Sequence, residues 1–183
     1  TGWQTIAQET YFFLDDKTMA MDWQIIGGKA YYFGFDGIMC TGWRTIAEDK
    51  YYFDGQGVLQ TGWQQIDGQS YYFLEDGMPE TGWQEIEGNR YYFDETGILA
   101  TGWQEIDGSR YCFAEDGIPM TGYCEIEESF YYFEEDGVMH TGWKDALIGR
   151  TYFLPEGNQA FGWQEIDGSR YYFGENGAMY TGW

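Results

Sequence analysis

The chain has 183 residues, of which 9 are Lys or Arg and 31 are Asp or Glu, for a formal charge of −22. Such a charge repels nucleic-acid phosphate and anionic lipid, and no run approaches the ~18 apolar residues of a membrane span. Aromatic residues make up 21% of the chain, the opposite of a disordered composition, so the chain is expected to pack despite its acidity.

In chain order the same 20-residue unit returns nine times, and a tenth copy begins at Thr181–Gly182–Trp183. Trp occurs only at the third position of the unit, with Tyr123 taking its place in the seventh copy, and Phe fills the thirteenth position from Phe13 to Phe173. A unit this short cannot bury a core alone, so stability has to come from stacking on neighbouring copies. The first copy has Gln8 and Lys17 where later copies have turn glycines, and the second opens Met21–Asp22 in place of Thr-Gly. The fifth, Thr81–Ala100, is regular and sets the reading for all. Alternation over Gly82–Ile86 predicts a strand, Gly88–Asn89 a turn, Arg90–Phe93 a second strand and Asp94–Gly97 a second turn. Ile98 and Leu99 lead into the next copy. Ile86, Tyr91 and Phe93 are expected to point inward, leaving Trp83 and Tyr92 in an outward row beside Arg90. The seventh copy departs at Tyr123, Cys124 and Glu128, and the eighth departs most, with Ala146 for Ile, Thr151 for Tyr and its glycine one place late at Gly149. An irregular copy inside the array suggests a local distortion or a specialised site. The whole is expected to be all-β, a β-solenoid of stacked two-stranded hairpins. Residues 1–183 read as a single repeat array, excised from a longer protein.

The side chains that could carry chemistry are repetitive rather than convergent. Paired carboxylates such as Glu85/Glu87 and Glu165/Asp167 recur along the array with no enclosed pocket implied, so no catalytic residues are expected. The acidic turns read as solvated, and the single His140 cannot assemble a metal site or a catalytic triad, so neither metal nor cofactor is expected. Cys40, Cys112 and Cys124 form no disulfide framework. Cys112 is expected outward and Cys124 inward, and this opposition of faces predicts that they stay unbridged.

An outward row of Trp and Tyr suits stacking on a sugar ring. Any one Trp is explained by packing of hairpin on hairpin, but the row as a whole points to binding. The expected platforms pair Trp43 with Tyr72, Trp63 with Tyr92, and Trp143 with Tyr172, while Cys112 weakens the site formed by Trp83 and Arg90.

The pattern TGWQ-x-I-x-G-x-x-YYF-x-x-x-G resembles the cell-wall-binding repeat superfamily of Gram-positive bacteria, which includes choline-binding modules, glucan-binding repeats and the repetitive domains of clostridial toxins. The resemblance covers the whole chain. It implies a hairpin solenoid on an exported protein of the cell surface or cell wall. Its implied partners are cell-wall polysaccharide, glucan or another glycan, or choline on teichoic acid. A choline cage of that family takes the Trp, an aromatic two places before the outward Tyr, and that Tyr of the next hairpin. Here the middle wall is a cation in five of nine copies and aromatic only at Phe130, so the one cage this implies combines Tyr123, Phe130 and Tyr152. The expected function is a non-catalytic carbohydrate- or wall-binding module. A choline-binding module, a structural spacer or adhesin stalk, and a fragment of an enzyme catalysing elsewhere are the alternatives.

Overall fold

A two-residue loop closes each hairpin, and its chemistry sets the register of everything else. In the computed structural model, which describes residues 1–147 and 149–181, Ile66 opposes Gln69 across Asp67 and Gly68. Those two loop residues take φ of +51° and +80°. Both central residues at positive φ define the tight turn whose twist matches that of the flanking strands, and Asp-Gly is among its preferred sequences. The turn therefore occupies the seventh and eighth positions of the unit, not the eighth and ninth. The second strand consequently begins one residue before the sequence pattern placed it, at Asn89 rather than Arg90. Where the sequence lacks glycine the same geometry is imposed on larger residues. Glu127 and Glu128 both adopt positive φ, at +49° and +63°.

Two compact units result, Thr1–Gln84 with Tyr92–Leu99, and Glu85–Tyr91 with Ala100–Trp183. The first holds the hairpins β1 (Gly2–Ile6)–β2 (Glu9–Phe13), β3 (Asp22–Ile26)–β4 (Lys29–Phe33), β5 (Gly42–Ile46)–β6 (Asp49–Phe53) and β7 (Gly62–Ile66)–β8 (Gln69–Phe73). The fifth hairpin, β9 (Gly82–Ile86) and β10 (Asn89–Phe93), is divided between the units. The second unit holds β11 (Gly102–Ile106)–β12 (Ser109–Phe113), β13 (Gly122–Ile126)–β14 (Ser129–Phe133), β15 (Gly142–Ala146)–β16 (Gly149–Phe153) and β17 (Gly162–Ile166)–β18 (Ser169–Phe173). Among the described residues every sheet is one such antiparallel pair, and no helix occurs. The start of the tenth copy, Gly182 and Trp183, lies outside the described residues.

A lone hairpin is marginal in water, so the links between copies decide stability. One link is backbone. The amide at the nineteenth position of a copy donates to the carbonyl at the tenth position of the copy before it, as Met39 does to Thr10 at 2.8 Å and Met139 to Arg110 at 2.8 Å. Pro79 and Pro119 stand at this position in the fourth and sixth copies and have no N–H to donate. The other link is aromatic. Phe33, Phe53, Phe73, Phe93, Phe133, Phe153 and Phe173 are fully buried. Trp43 meets Tyr52 of its own hairpin edge-on at 5.1 Å, then Tyr71 at 5.1 Å and Phe73 at 5.7 Å in the next copy. Trp3, Trp23 and Trp143 repeat the arrangement, with Phe12 taking the Tyr place beside Trp3. Edge-on aromatic pairs contribute about 0.5–1.5 kcal/mol each beyond the area they bury.

This stacking corrects the inward and outward assignment. Within each unit the Trp/Tyr face of one hairpin lies against the Tyr/Phe face of the next, so the Trp row is covered in part. Trp43, Trp83, Trp103 and Trp143 are half-buried, whereas Trp3, Trp23, Trp63 and Trp163 stay exposed. Burial, together with nearby carboxylates, pushes the Tyr51 and Tyr71 hydroxyls up from their usual range. Cys112 is likewise buried, not outward, and packs with Phe133, Met139 and the half-buried Cys124. Outer face of one copy and inner face of the next meet, which brings these two cysteines together instead of separating them. All three cysteines are free thiols. Burial pushes the Cys112 thiol up, with Cys124 adding to the effect, and burial also raises the Cys124 thiol.

Candidate functional site

Antiparallel register places the third position directly opposite the twelfth. Trp43 faces Tyr52, Trp63 faces Tyr72 and Trp143 faces Tyr152. Directly opposed side chains are near neighbours on one face of a hairpin. The pairs expected from the sequence are therefore shifted by one copy. Tyr72 joins Trp63 at 5.2 Å, Tyr92 joins Trp83 at 5.2 Å and Tyr172 joins Trp163 at 5.2 Å, each within its own hairpin. Cys112 likewise opposes Trp103 and not Trp83.

The cations that fill the tenth position rest on the indole rings. Lys50 Nζ is 4.4 Å from the Trp43 ring centre, and the guanidinium carbons of Arg110, Arg150 and Arg170 are 4.9, 4.5 and 5.0 Å from Trp103, Trp143 and Trp163. A cation over an indole gains about 0.5–2 kcal/mol, depending on how far it is desolvated. Arg90 and Arg110 also reach two copies ahead, donating to the turn carbonyls of Asp136 at 2.9 Å and Glu156 at 3.2 Å. Trp43 and Trp143, two of the expected sugar platforms, are thus covered on one side by tyrosine and on another by a cation.

The acidic turns have an internal use. Asp94 accepts from the Thr96 hydroxyl at 2.7 Å and from the amides of Thr96 and Ile98 at 2.8 and 2.9 Å. Partial burial pushes its carboxyl up, but these hydrogen bonds outweigh that and hold it below the usual range.

The pattern fails at the seventh and eighth copies, and a pocket opens there. Tyr123 replaces Trp and is 49% exposed. It meets Tyr132 of its own hairpin at 4.9 Å and Phe153 of the next at 6.1 Å. The tyrosine that would close over it is missing, because Thr151 stands at that position. The result is an open pocket of about 820 Å³ walled by Tyr123, Phe130, Tyr132 and Phe161. Phe130 and Phe161 are 6.2 Å apart, edge to face. Asp145 and Glu175 stand at the rim, and Lys144 projects into it. Of the cage expected from the sequence, Tyr123 and Phe130 come together, whereas Tyr152 pairs with Trp143 at 5.0 Å and Tyr132 takes its place. Sequence reading missed Tyr132, Phe161 and Lys144. Phe161 was legible as the aromatic replacing Thr at the start of the ninth copy, and Lys144 as a departure from the usual Gln.

Gln159, at a position that elsewhere holds Met, Leu or Pro, is buried beside this pocket. Among the described residues its Nε2 is the buried side-chain nitrogen with no hydrogen-bond partner. An unsatisfied buried donor costs about 1–3 kcal/mol. Gln159→Met is therefore expected to stabilise the protein by about 1 kcal/mol in urea unfolding, and a loss of stability would show that the amide has a role the packing does not reveal.

The comparisons with known proteins bear on the repeats and the fold, and the family signature leaves residues 142–159 of the eighth copy unmatched. The family signature described as choline-binding repeat matches residues 1–39, 20–59, 40–77, 60–97, 80–118, 100–141 and 160–183. No curated protein matches the chain in sequence. Choline-binding protein F of Streptococcus pneumoniae is similar in structure, with a TM-score of 0.72 at 24% identity over 97% of this chain and 86% of that one. The choline-binding domain of CbpL from Streptococcus pneumoniae gives 0.66 at 25% identity over 100% of this chain and 98% of that one. The modular autolysin LytC of Streptococcus pneumoniae gives 0.59 at 20% identity, with 98% of this chain matching 48% of that one.

Proposed function

The chain belongs to the choline-binding repeat family, and from that membership we propose that it is a non-catalytic module that holds a surface protein on the wall of a Gram-positive bacterium by binding choline carried on wall polymer. The unbroken 20-residue period supports reading residues 1–183 as one array. Within each unit, the docking of each hairpin on the next supports a β-solenoid.

The aromatic pocket of the seventh and eighth copies carries the reading. A quaternary ammonium has no N–H to donate, so it is recognised by aromatic faces, whose quadrupole attracts it, and by negative charge nearby. Tyr123, Phe130, Tyr132 and Phe161 supply the faces and Glu175 supplies charge, while the Asp145 carboxylate is shared with Arg150 at 3.7 Å. The chain's −22 charge raises the local concentration of any cationic ligand. Glycan stacking has less support at Trp43 and Trp143, whose faces packing and cation caps already occupy, while Trp63 stays exposed.

Calorimetric titration with choline tests the proposal. Saturable binding is expected, with loss of at least about tenfold in affinity for Tyr123→Ala and for Phe130→Ala, since a cation on one ring is worth up to about 2 kcal/mol. Binding that is absent, or that survives both substitutions, would overturn the assignment. A wall-glycan pull-down that responds to Trp63→Ala and not to choline would return the glycan reading to first place.

A further inference from the structure

We propose that Lys144 sets the selectivity of the pocket by occupying it, acting as a tethered competitor for the cation the pocket takes. The inference rests on the reading of the pocket as a cation site.

The fourth position of the unit is Gln at residues 4, 24, 64, 84, 104 and 164. From residue 24 on, each of these side chains stays with its own strand, donating Nε2 to the carbonyl three residues earlier at 2.8 to 3.0 Å. Lys144 behaves differently. It reaches back onto the preceding hairpin, where its Nζ lies 3.7 Å from the centre of the Tyr132 ring and 3.3 Å from Glu134 Oε1. The room for this comes from its neighbour. Lys144 opposes Thr151 in the hairpin register, and Thr151 is fully buried with its hydroxyl donating to the Lys144 carbonyl at 3.2 Å. In the ninth copy the corresponding residue is Tyr171, whose ring covers Trp143 at 4.9 Å. In the eighth copy threonine leaves that space open, and the lysine side chain extends into it from the opposite strand.

The ammonium is held, not merely nearby. Glu134 Oε1 is shared with His140, whose Nδ1 lies 2.7 Å away, while His140 Nε2 is 3.2 Å from the Trp143 carbonyl. His140 also packs edge-on to Phe153 at 5.5 Å. The carboxylate is therefore anchored by a fixed ring, and it positions Lys144 over the tyrosine. A primary ammonium on an aromatic face makes the same attraction that a ligand cation would make there. Any incoming cation must displace Lys144 from the Tyr132 face or meet its charge at close range.

Choline titration of Lys144→Gln and Lys144→Met tests this. Gln is the residue of six other copies, so that variant is compatible with the fold, and Met keeps the length of the stem without the charge. Both are expected to bind choline about tenfold more tightly than the parent, while Lys144→Arg, which keeps a cation, stays within about twofold. If the parent binds and the two neutral variants bind equally or more weakly, Lys144 is not a competitor and the inference is overturned with the pocket reading intact. If neither parent nor variants bind choline, the pocket reading itself fails and this inference falls with it. Adding Tyr123→Ala to Lys144→Gln should abolish the gain; a gain that persists places the effect outside the pocket.

Discussion

Phe53→Ala should lower stability by about 3–5 kcal/mol, the range for truncating a fully buried phenylalanine. Phe53 has no exposed surface and lies 5.7 Å from Trp23 of the preceding copy. It sits opposite Gly42 in its own hairpin, so no neighbouring side chain on that strand can fill the space it leaves. The cavity would open between the second and third copies. In a repeat array stability is a sum of each copy and its interfaces with its neighbours, so the damage should be local. Hydrogen exchange should show amides of the β3–β4 and β5–β6 hairpins opening first, together with a lower urea midpoint. Phe35→Ala is the control, because Phe35 is 97% exposed and its loss should fall within about 0.5 kcal/mol. A Phe53→Ala loss below about 1 kcal/mol would mean that the aromatic stack is not the main link between copies.

Gly57→Ala should cost about 2–5 kcal/mol, for two separable reasons. Gly57 has φ of +78°, where a Cβ costs about 1–2 kcal/mol. A Cβ there would also lie 2.3 Å from Met39 Sδ and 2.6 Å from its Cγ, and such overpacking adds about 1–3 kcal/mol. Gly62→Ala isolates the backbone part, since φ is +66° with nothing within 4 Å of the added carbon. Met39→Ala combined with Gly57→Ala isolates the steric part. A coupling of at least about 1 kcal/mol between the two is expected in a double-mutant cycle read by urea unfolding. Additive losses would show that the turn does not close on the copy before it.

Much of the architecture was legible in the residues. The unit length, the two strands and the buried Phe row all follow from the strict recurrence of aromatics and from alternation within each strand. Reading glycine as the first turn residue puts the turn one residue late, whereas this turn needs positive φ at two positions and uses Asp, Glu, Ala or Gly at the first. Lys144 was present as a departure from Gln, yet its consequence depends on Thr151, seven residues away on the opposing strand.

Alternation along a strand states which residues share a face. That is why Ile66, Tyr71 and Phe73 fell together in one buried cluster, as the sequence alone determined. It does not state what lies against that face, and here the tertiary structure decided the outcome. A solitary hairpin has a wet side, so the Trp row and Cys112 read as outward; within each unit a stacked hairpin sets its Trp/Tyr face against the next Tyr/Phe face, which half-buries Trp43, Trp103 and Trp143 and leaves Trp3, Trp23, Trp63 and Trp163 exposed. Burial of Cys112 beside Cys124 follows from that contact, whereas the pairing of Trp43 with Tyr52 and of Tyr123 with Tyr132 follows from register within a hairpin. Contacts between residues in successive copies are set by how hairpins dock, and docking is a property of two surfaces that no single 20-residue unit contains.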